Sequence, residues 1–263
     1  MAKSEKQKII RWERGKTREI KDDIVVESSL ELVINDRSAV TLLCSPESQR
    51  ALAVGYMKSE GLIEDLESVK ELEFCPEDKT IEARIAEDRG DMESYFERKR
   101  ALTSSCGRAT AIVENLKALE LTKSEMDNTP EFTELVDLIN DLQQRAELFQ
   151  KTGGSHTAAL GYRGEIKYLA EDIGRHNAVD KVIGRAVLDE RSLEEFFLLT
   201  SGRLSSEMVL KAIRSSIPIL VSRSAPTTLA VRMGRMTGLV MVGFVRGTRL
   251  SVYSGREKFK GFG

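Results

Sequence analysis

The stretch that decides the fold runs from residue 195 to residue 245 and reads EFFLLTSGRLSSEMVLKAIRSSIPILVSRSAPTTLAVRMGRMTGLVMVGFV. Three short apolar runs, EFFLLTS, IPILVS and LVMVGFV, alternate with two segments whose apolar residues recur at helical spacing. Apolar runs this short and continuous are typical of strands that are covered on both faces. The alternation therefore predicts an α/β layered domain with a central sheet between helices.

The segments on either side extend this sheet. HTAALGY (156–162) and EIKYLA (165–170) predict a hairpin that turns at Arg163-Gly164, and LSVYS (250–254) predicts a final strand. HNAVDKVIGRAVL (176–188) predicts a helix that follows the hairpin. Because a hairpin adds antiparallel strands to a parallel set, we expect a mixed central sheet.

One long helix is predicted just before the hairpin, over residues 129–152. Thr129 is suited to cap it, Pro130 suits its first turn, and Gly153–Gly154 would end it. The apolar stripe of this helix consists of Phe132, Leu135, Leu138, Ile139, Leu142 and Phe149.

The first part of the chain is β-rich. IVVESSLELVIN (24–35) and SAVTLLC (38–44) read as strands, and VKELEF (69–74) with TIEARIA (80–86) reads as an exposed pair. A helix is predicted within residues 47–63, ending at Gly61. The polar and serine-rich residues 88–105 are the best candidate for a domain boundary. We therefore predict a smaller β-rich N-terminal domain over 1–100, a segment 101–128 with a cysteine loop and a helix (109–121), and a larger domain over 129–263.

Composition excludes several classes of protein. No apolar run approaches the roughly 18 residues of a membrane span, and the N-terminus lacks the apolar stretch of a secretory signal. The three cysteines, Cys44, Cys75 and Cys106, do not make a disulfide framework, which favours a cytoplasmic location. The sequence has no C-x-x-C or H-x-E motif, so we predict no resident metal, and it has no Walker or G-x-G-x-x-G motif. We also expect no nucleic-acid partner.

Charge is distributed unevenly along a chain whose formal net charge is −2. Residues 203–256 carry nine Lys/Arg and a single acidic residue, Glu207. A solvated face usually mixes both signs, so this skew indicates an anionic partner, although a merely basic surface would look the same.

Four loops at predicted strand ends are rich in Gly, Ser, Thr and Arg: residues 170–181, 200–207, 221–228 and 244–249. Helix-start N–H groups, hydroxyls and guanidinium groups bind phosphates, and ligands of open α/β sheets bind at the carboxyl ends of strands. A single loop of this kind is as readily a capped helix, but several together favour an anion site. The candidate binding residues are Ser201, Gly202, Arg203, Ser222, Arg223, Ser224, Phe244, Val245, Arg246, Gly247, Thr248 and Arg249.

Only two histidines occur, His156 and His176, and both lie at predicted element ends near the same sheet edge. Each could be structural or could contact a ligand. The nearby carboxylates Glu171, Asp172 and Asp180 could orient a histidine, pair with arginine or bind a guanine edge, and the sequence does not choose. We include Asp172 with the histidines among the candidate binding residues.

Cys106 differs from the other two cysteines. Cys44 and Cys75 end strand-like runs and are expected to pack as small apolar side chains. Cys106 stands in TSSCGRAT (103–110), where Arg108 and a predicted helix start would favour the thiolate, the nucleophilic form. On these residues alone, Cys106 is either a reactive thiol or an inert loop cysteine.

Several long motifs resemble the formate dehydrogenase accessory sulfurtransferase family, FdhD. They cover most of the chain from about residue 40 to residue 254. The motifs are CSPESQRALAVGYMKSEGLI (44–63), TSSCG (103–107), GGSHTAAL (153–160), EDIGRHNAVDKVIG (171–184), TSGRLSSEMVLKA (200–212), ILVSRSAPTTLAV (219–231) and GFVRG (243–247).

The resemblance implies a sulfur carrier with Cys106 as its catalytic residue. Such proteins accept sulfur as a persulfide from a cysteine desulfurase and pass it to the metal of bis-(molybdopterin guanine dinucleotide), which then enters formate dehydrogenase. It also implies a homodimer and, for the larger domain, a cytidine-deaminase-like three-layer fold without the zinc. The guanine dinucleotide arms would be held in that domain, where the basic loops lie.

The chain departs from the family pattern at one position. Many relatives carry C-x-x-C at the reactive loop, whereas here the second position is Ala109. Persulfide chemistry needs one sulfur, so Cys106 would work without a resolving thiol, on a loop that we expect to be mobile between the domains. The main alternative function is a chaperone that binds the cofactor and carries out no sulfur chemistry. A third function, a zinc deaminase, is suggested only by analogy with the fold.

Overall fold

The computed structural model describes residues 2–86, Tyr95 and residues 130–259. The strands of this part are β1 (Ser4–Glu13), β2 (Lys16–Val25), β3 (Ser28–Ile34), β4 (Arg37–Cys44), β5 (Val69–Cys75), β6 (Thr80–Ile85), β7 (His156–Tyr162), β8 (Glu165–Asp172), β9 (Phe197–Thr200), β10 (Ile219–Ser222), β11 (Val240–Arg246) and β12 (Arg249–Ser254). The α-helices are α1 (Gln49–Glu60), α2 (Phe132–Gln144), α3 (Glu147–Thr152), α4 (Arg175–Leu188), α5 (Ser206–Arg214) and α6 (Thr228–Thr237).

The central sheet has the order β12-β11-β10-β9-β7-β8. Strands β9, β10 and β11 run parallel, while β7, β8 and β12 pair antiparallel with their neighbours. The hairpin between β7 and β8 turns at Arg163 and Gly164, which both have positive φ. The mixed α/β sheet and this turn confirm the expectations from the apolar runs.

Helices cover both faces of the central sheet, as the continuously apolar strands predict. Leu135, Leu138, Ile139 and Leu142 of α2 recur at helical spacing and pack on the face formed by residues such as Leu199 and Val221. The opposite face, which includes Leu198 and Leu220, packs in a core with α4, α5 and α6. The result is three layers, with the strand ends left free to form a site.

The prediction of one long helix over residues 129–152 is wrong in one respect. The described part of this region forms two helices, α2 and α3. The break lies at Arg145 and Ala146, and the Glu171 carboxylate accepts hydrogen bonds from Leu148 N (2.7 Å) and Phe149 N (2.8 Å). This distant carboxylate caps a new helix start. Phe149 therefore leaves the apolar stripe and is 45% exposed.

A second sheet has the order β4-β3-β6-β5 and contains the predicted pair β5 and β6. Its inward side chains, including Leu32 and Ile81, share one apolar core with α1 and α4. Helix α1 ends at Gly61, which adopts the left-handed conformation (φ 78°) as expected for a C-terminal cap. The second sheet thus reaches the central sheet through two helices.

Residues 4–25 form a β-hairpin that we did not predict. Strands β1 and β2 pair over ten residues each and turn at Arg14 and Gly15, which have positive φ. Lys151 ties the base of this hairpin to α3 through the Asp23 carboxylate at 3.2 Å.

Three of our predictions fall outside the described residues: Cys106 with its loop, the helix over 109–121, and the cap at Thr129. The boundaries 1–100, 101–128 and 129–263 also stay predictions. None of the described helices combines the length and the apolar character that crossing a membrane requires.

Candidate functional site

The four predicted loops meet at one edge of the central sheet. Because β9, β10 and β11 are parallel, the loops that follow them leave from the same side. The antiparallel strand β7 begins there at His156, which pairs with Asp172 at the end of β8. We call this set of loops, together with the first residues of α4 and α5, the anion edge.

Serine side chains connect the loops of the anion edge to one another. Ser222 is buried, and its hydroxyl donates to the Gly202 carbonyl (2.6 Å) and accepts from Ser224 N (2.8 Å). The Ser201 hydroxyl accepts from Thr157 N (3.0 Å) at the start of β7. These serine hydroxyls therefore fix the positions of neighbouring loops relative to one another. Ser222 is buried and lies beneath the surface of the anion edge.

The last loop places an arginine on an aromatic ring. The Arg246 guanidinium carbon lies 5.3 Å from the centre of the Phe244 ring, and Arg246 Nε donates to the Arg223 carbonyl at 3.4 Å. Phe244 has a φ of 52°, which is costly for a residue with a side chain, and its N–H donates to the Ser224 carbonyl. Val245 is fully buried in the core, since side chains alternate along a strand. Gly247 and Thr248 form the exposed turn between β11 and β12, and Arg249, also exposed, begins β12.

His156 lies between the loops of β7 and β9. Its Nδ1 atom is 3.4 Å from the Ser201 hydroxyl. Burial, and then the positive charges of Arg175 and Arg203, lower the pKa of His156. At neutral pH this histidine is uncharged and adjoins two cations.

His176 lies on the first turn of α4, with its Nε2 atom 3.2 Å from a carboxylate oxygen of Glu207 on α5. The contact does not have the geometry of a hydrogen bond, and within the described residues Nε2 has no hydrogen-bond partner. Burial, and then the Arg175 charge, lower the pKa of His176 to about 4, against the opposing effect of Glu207. We therefore interpret the pair as a neutral imidazole beside a carboxylate.

Two further buried polar atoms at the anion edge have no hydrogen-bond partner among the described residues. They are Arg175 Nε on α4 and the Ser205 hydroxyl before α5. Buried polar groups are normally paired, so these atoms are available to a bound anion or to solvent. Together with His176 they form a set of unused polar atoms at the ends of two adjacent helices.

Asp172 lies beneath the anion edge, where it organises the backbone. It is fully buried, and its oxygens accept from Gly174 N, Asn177 Nδ2 and Ser45 N at 2.9–3.0 Å. Lys181, which is 1% exposed, lies 2.6 Å away. Of the roles that the sequence left open, pairing with a cation is the one that the structure displays for Asp172, although the cation is lysine.

The carboxylates of Glu171 and Asp180 also form their contacts within the fold. Glu171 caps α3 as described above, and Asp180 is held by Lys211 at 3.0 Å and by the Ser59 hydroxyl at 2.7 Å.

The two cysteines in the described part differ from a reactive thiol. Cys44 is buried as predicted, and burial, followed by the Asp172 charge, raises its pKa. Cys75 is half-buried, and burial with Glu73, Glu82 and Asp78 nearby raises its pKa as well. Neither has the low pKa of a nucleophilic thiolate. Across residues 2–86, Tyr95 and 130–259, no three His, Cys, Asp or Glu side chains form a group that could hold a metal ion.

Comparison with known proteins places this geometry in a family. The profile of the FdhD/NarQ family matches residues 25–260. The chain belongs to the FdhD/NarQ family. It is 37% identical over 257 residues to the sulfur carrier protein FdhD of Listeria monocytogenes serotype 4b (strain F2365), covering 96% of this chain and 97% of that protein. It is 32% identical over 253 residues to the protein of the same name from Bacillus subtilis (strain 168), covering 95% of both chains.

A solved structure shows the same fold. A crystal structure described as that of a formate dehydrogenase accessory protein from Desulfotalea psychrophila superposes with a TM-score of 0.78 at 26% sequence identity. The match covers 98% of this chain and 99% of the other. The resemblance drawn from the sequence motifs is therefore confirmed at the level of the FdhD/NarQ family.

Sequence reasoning missed two residues of the anion edge in this FdhD/NarQ chain, Arg175 and Ser205. Both stand at helix starts, next to the predicted residues His176 and Arg203. The signal was available, because the N-terminal turn of a helix gathers unpaired polar groups. A search of every helix start after a strand would have included both residues.

Proposed function

We propose that this chain is a sulfur carrier for formate dehydrogenase. The observation that carries the proposal is its similarity, over nearly its whole length, to proteins named sulfur carrier protein FdhD. The carrier residue is Cys106, because Cys44 and Cys75 have raised pKa values and their thiolates are disfavoured. Arg108, two residues after Cys106, supplies the positive charge that favours a thiolate.

Sulfur loading follows thiol exchange chemistry. The Cys106 thiolate attacks the terminal sulfur of a persulfide on a cysteine desulfurase, a new S–S bond forms, and the donor cysteine leaves as a thiolate. No net oxidation occurs, since the transferred sulfur keeps its oxidation state. Delivery breaks the Cys106 S–S bond and returns the thiolate; a reduced metal acceptor, oxidised by two electrons, receives the sulfur as sulfide.

The cargo that we propose is bis-(molybdopterin guanine dinucleotide), which carries molybdenum or tungsten as part of the substrate. Its pyrophosphates suit the charge of the anion edge, whose loops carry Arg203, Arg223 and Arg246 and whose helix starts carry unpaired polar atoms of α4 and α5. The three layers and the mixed sheet also fit the cytidine-deaminase-like fold that the motifs imply. We also propose that the protein forms a homodimer and is located in the cytoplasm.

The test is to load the protein with sulfur from labelled cysteine and a cysteine desulfurase, then map the label by mass spectrometry of peptides. We expect one labelled sulfur atom on Cys106 and none on Cys44 or Cys75, because a bound persulfide requires an exposed thiolate. A label that never reaches Cys106 would rule out the carrier function.

A second prediction concerns nucleotide binding at the anion edge. GDP should bind with at least about tenfold lower affinity to Arg203→Ala, since a hydrogen bond to a charged group contributes about 1.5–3 kcal/mol. Arg191→Ala is the matched control, because Arg191 pairs with Glu195 before β9, at the opposite end of the strand. Isothermal titration calorimetry measures both affinities, and an equal loss in both variants would contradict the site.

Binding at the anion edge should also depend on pH. Burial and two arginines hold the pKa of His156 below its ordinary value, so the free protein binds fewer protons there than a free histidine would. An anion beside His156 favours its charged form, so GDP binding should take up protons and strengthen as pH falls toward 6. Calorimetry in buffers of different ionisation enthalpy measures this proton uptake.

The alternative is a chaperone that holds the cofactor without carrying sulfur, which the absence of a second cysteine at Ala109 favours. That function predicts normal GDP binding together with no label on Cys106. The two measurements above therefore distinguish the functions.

A further inference from the structure

Arg175 is the first residue of α4, and its side chain lies against the loop that follows β9. A Cβ atom on Gly202 of that loop would be 3.0 Å from Arg175 Cβ and 3.2 Å from Arg175 Cδ. Ser201, the residue before Gly202, has its hydroxyl 3.4 Å from Nδ1 of His156. The stem of Arg175 therefore packs beside the loop that connects the start of α4 with the start of β7.

The backbone that carries Arg175 is fixed by a buried ion pair. One oxygen of Asp172 accepts hydrogen bonds from Gly174 N (2.9 Å) and from the Asn177 side chain (3.0 Å), on either side of Arg175 in the sequence. The other oxygen lies 2.6 Å from the Lys181 ammonium nitrogen, and both side chains of this pair are at most 1% exposed. Breaking the pair would leave an uncompensated charge in the core, so the start of α4 holds one geometry.

The charge of Arg175 is not neutralised within the described part of the chain. The residue is half-buried, its guanidinium forms no ion pair there, and its buried Nε atom has no hydrogen-bond partner there. Burial, and then the charge of Arg175, lower the pKa values of His156 and His176. Glu207, the one acidic residue of 203–256, lies beside His176 at 3.2 Å. A half-buried guanidinium next to neutral imidazoles favours an anionic ligand as its counter-ion.

The other arginines of the anion edge have different surroundings. Arg203, Arg223 and Arg246 are exposed, and the Arg246 guanidinium carbon lies 5.3 Å from the centre of the Phe244 ring. Water and salt screen an exposed charge, whereas a half-buried guanidinium acts on an anion through a medium of lower dielectric constant. Arg175 should therefore contribute more to anion binding than any one of these three residues.

We propose that Arg175 is the principal phosphate-binding residue of the anion edge, and that Gly202 is a positioning residue whose missing side chain leaves room for the Arg175 stem. The proposal rests on the proposed function, because the phosphates are those of the guanine dinucleotide cargo. It adds which part of the cargo is recognised, since two parallel N–H donors of a guanidinium match two oxygens of a phosphate.

Calorimetric titration with GDP and with inorganic pyrophosphate tests the assignment of Arg175. In Arg175→Ala both affinities should fall at least about 30-fold, because charged hydrogen bonds to phosphate are lost. Arg175→Lys keeps the charge but not the planar set of donors, so its loss should be smaller, about 3- to 10-fold. Arg163→Ala is the matched control, because Arg163 is exposed in the turn after β7, at the other end of that strand from His156. It should bind both ligands as the parent protein does.

Gly202→Ala tests the positioning role and keeps every charge in place. The new Cβ would press on the Arg175 stem, so GDP affinity should fall at least about 5-fold in the parent protein. In the Arg175→Ala background the same substitution should change the affinity by at most about 2-fold, because the contact that it disturbs is already lost. Equal losses in the two backgrounds would overturn the role of Gly202.

Labelled-sulfur loading of the parent protein, measured beside these titrations, separates this inference from the proposed function. The assignment of Arg175 is overturned if Arg175→Ala binds GDP and pyrophosphate as tightly as the parent protein, or if the parent protein binds neither ligand. Where Arg175→Ala does not fold, unchanged binding in Arg175→Lys overturns it instead. A parent protein that binds both ligands through Arg175 but takes no label on Cys106 supports the assignment and contradicts only the sulfur carrier function.

Discussion

Cys106→Ser is expected to lose all sulfur loading and all ability to mature formate dehydrogenase, while keeping its fold and its affinity for GDP. A serine oxygen does not hold a persulfide sulfur, and the other cysteines do not replace it. Cys44 is fully buried, and the pKa of the Cys75 thiol is raised by burial and by acidic neighbours. The loss should therefore be complete and not partial.

The measurement pairs formate dehydrogenase activity in a strain that lacks its own FdhD with labelled-sulfur loading in solution. Cys75→Ser is the matched control, since it removes a thiol of the same size and should keep both activities. Full maturation by Cys106→Ser would show that the protein acts as a cofactor chaperone. Loss of both GDP binding and loading would point instead to a damaged fold.

Gly184→Ala is expected to destabilise the folded state by at least about 3 kcal/mol, although alanine favours an isolated helix by about 1 kcal/mol. Helices α1 and α4 cross at Gly55 and Gly184 with their backbones in contact. A Cβ on Gly184 would overlap the Ala51 carbonyl oxygen and lie 2.7 Å from Gly55 N. Neither atom can move unless the helices separate, and that separation would open the core shared by both sheets.

Gly234→Ala provides the comparison for this crossing. It is also a helical glycine without space for a Cβ, but its nearest neighbour is the sulfur atom of the flexible Met241 side chain and not backbone. We expect a loss of no more than about 1–2 kcal/mol there. Chemical denaturation of both variants measures the difference, and equal losses would show that the α1–α4 crossing is not specially tight.

The close crossing also affects the residue that follows Gly55. A Cβ on Gly55 would overlap the Asp180 carbonyl oxygen, so α1 lies directly against α4 at this point. The Tyr56 ring next to it has its centre 5.2 Å from the Lys211 ammonium nitrogen.

Local pattern was enough to predict most elements of the central sheet. Strands 197–200 and 219–222 are buried along their length, and strand 240–246 is buried over its first four residues. An apolar run of four to seven residues between polar loops has few other solutions. The anion edge could also be predicted, because the loops that follow parallel strands all leave from the same edge of the sheet. The motifs of the FdhD/NarQ family were readable for the same reason, since they stand in those loops.

The local sequence pattern did not predict the structure where a residue far away along the chain determines it. The break between α2 and α3 depends on Glu171, which is more than twenty residues from the new helix start. The hairpin of β1 and β2 has few apolar residues and no buried face, so its sequence lacks the alternation of apolar and polar residues that indicates a strand. Arg175 and Ser205 became candidates only when their unpaired atoms were found at the same edge.

Residue types and their spacing along the chain were enough to identify the family, the layered α/β sheet, the basic loops and the cysteine that we expect to carry sulfur. The roles of the remaining polar groups became clear only in the folded protein, because they depend on which groups folding brings into contact. Asp172 is matched by Lys181 and Asp180 by Lys211 at 2.6 Å and 3.0 Å, and burial makes each pairing obligatory. The cost of burying an unpaired charge is a property of three-dimensional surroundings, which no local pattern records.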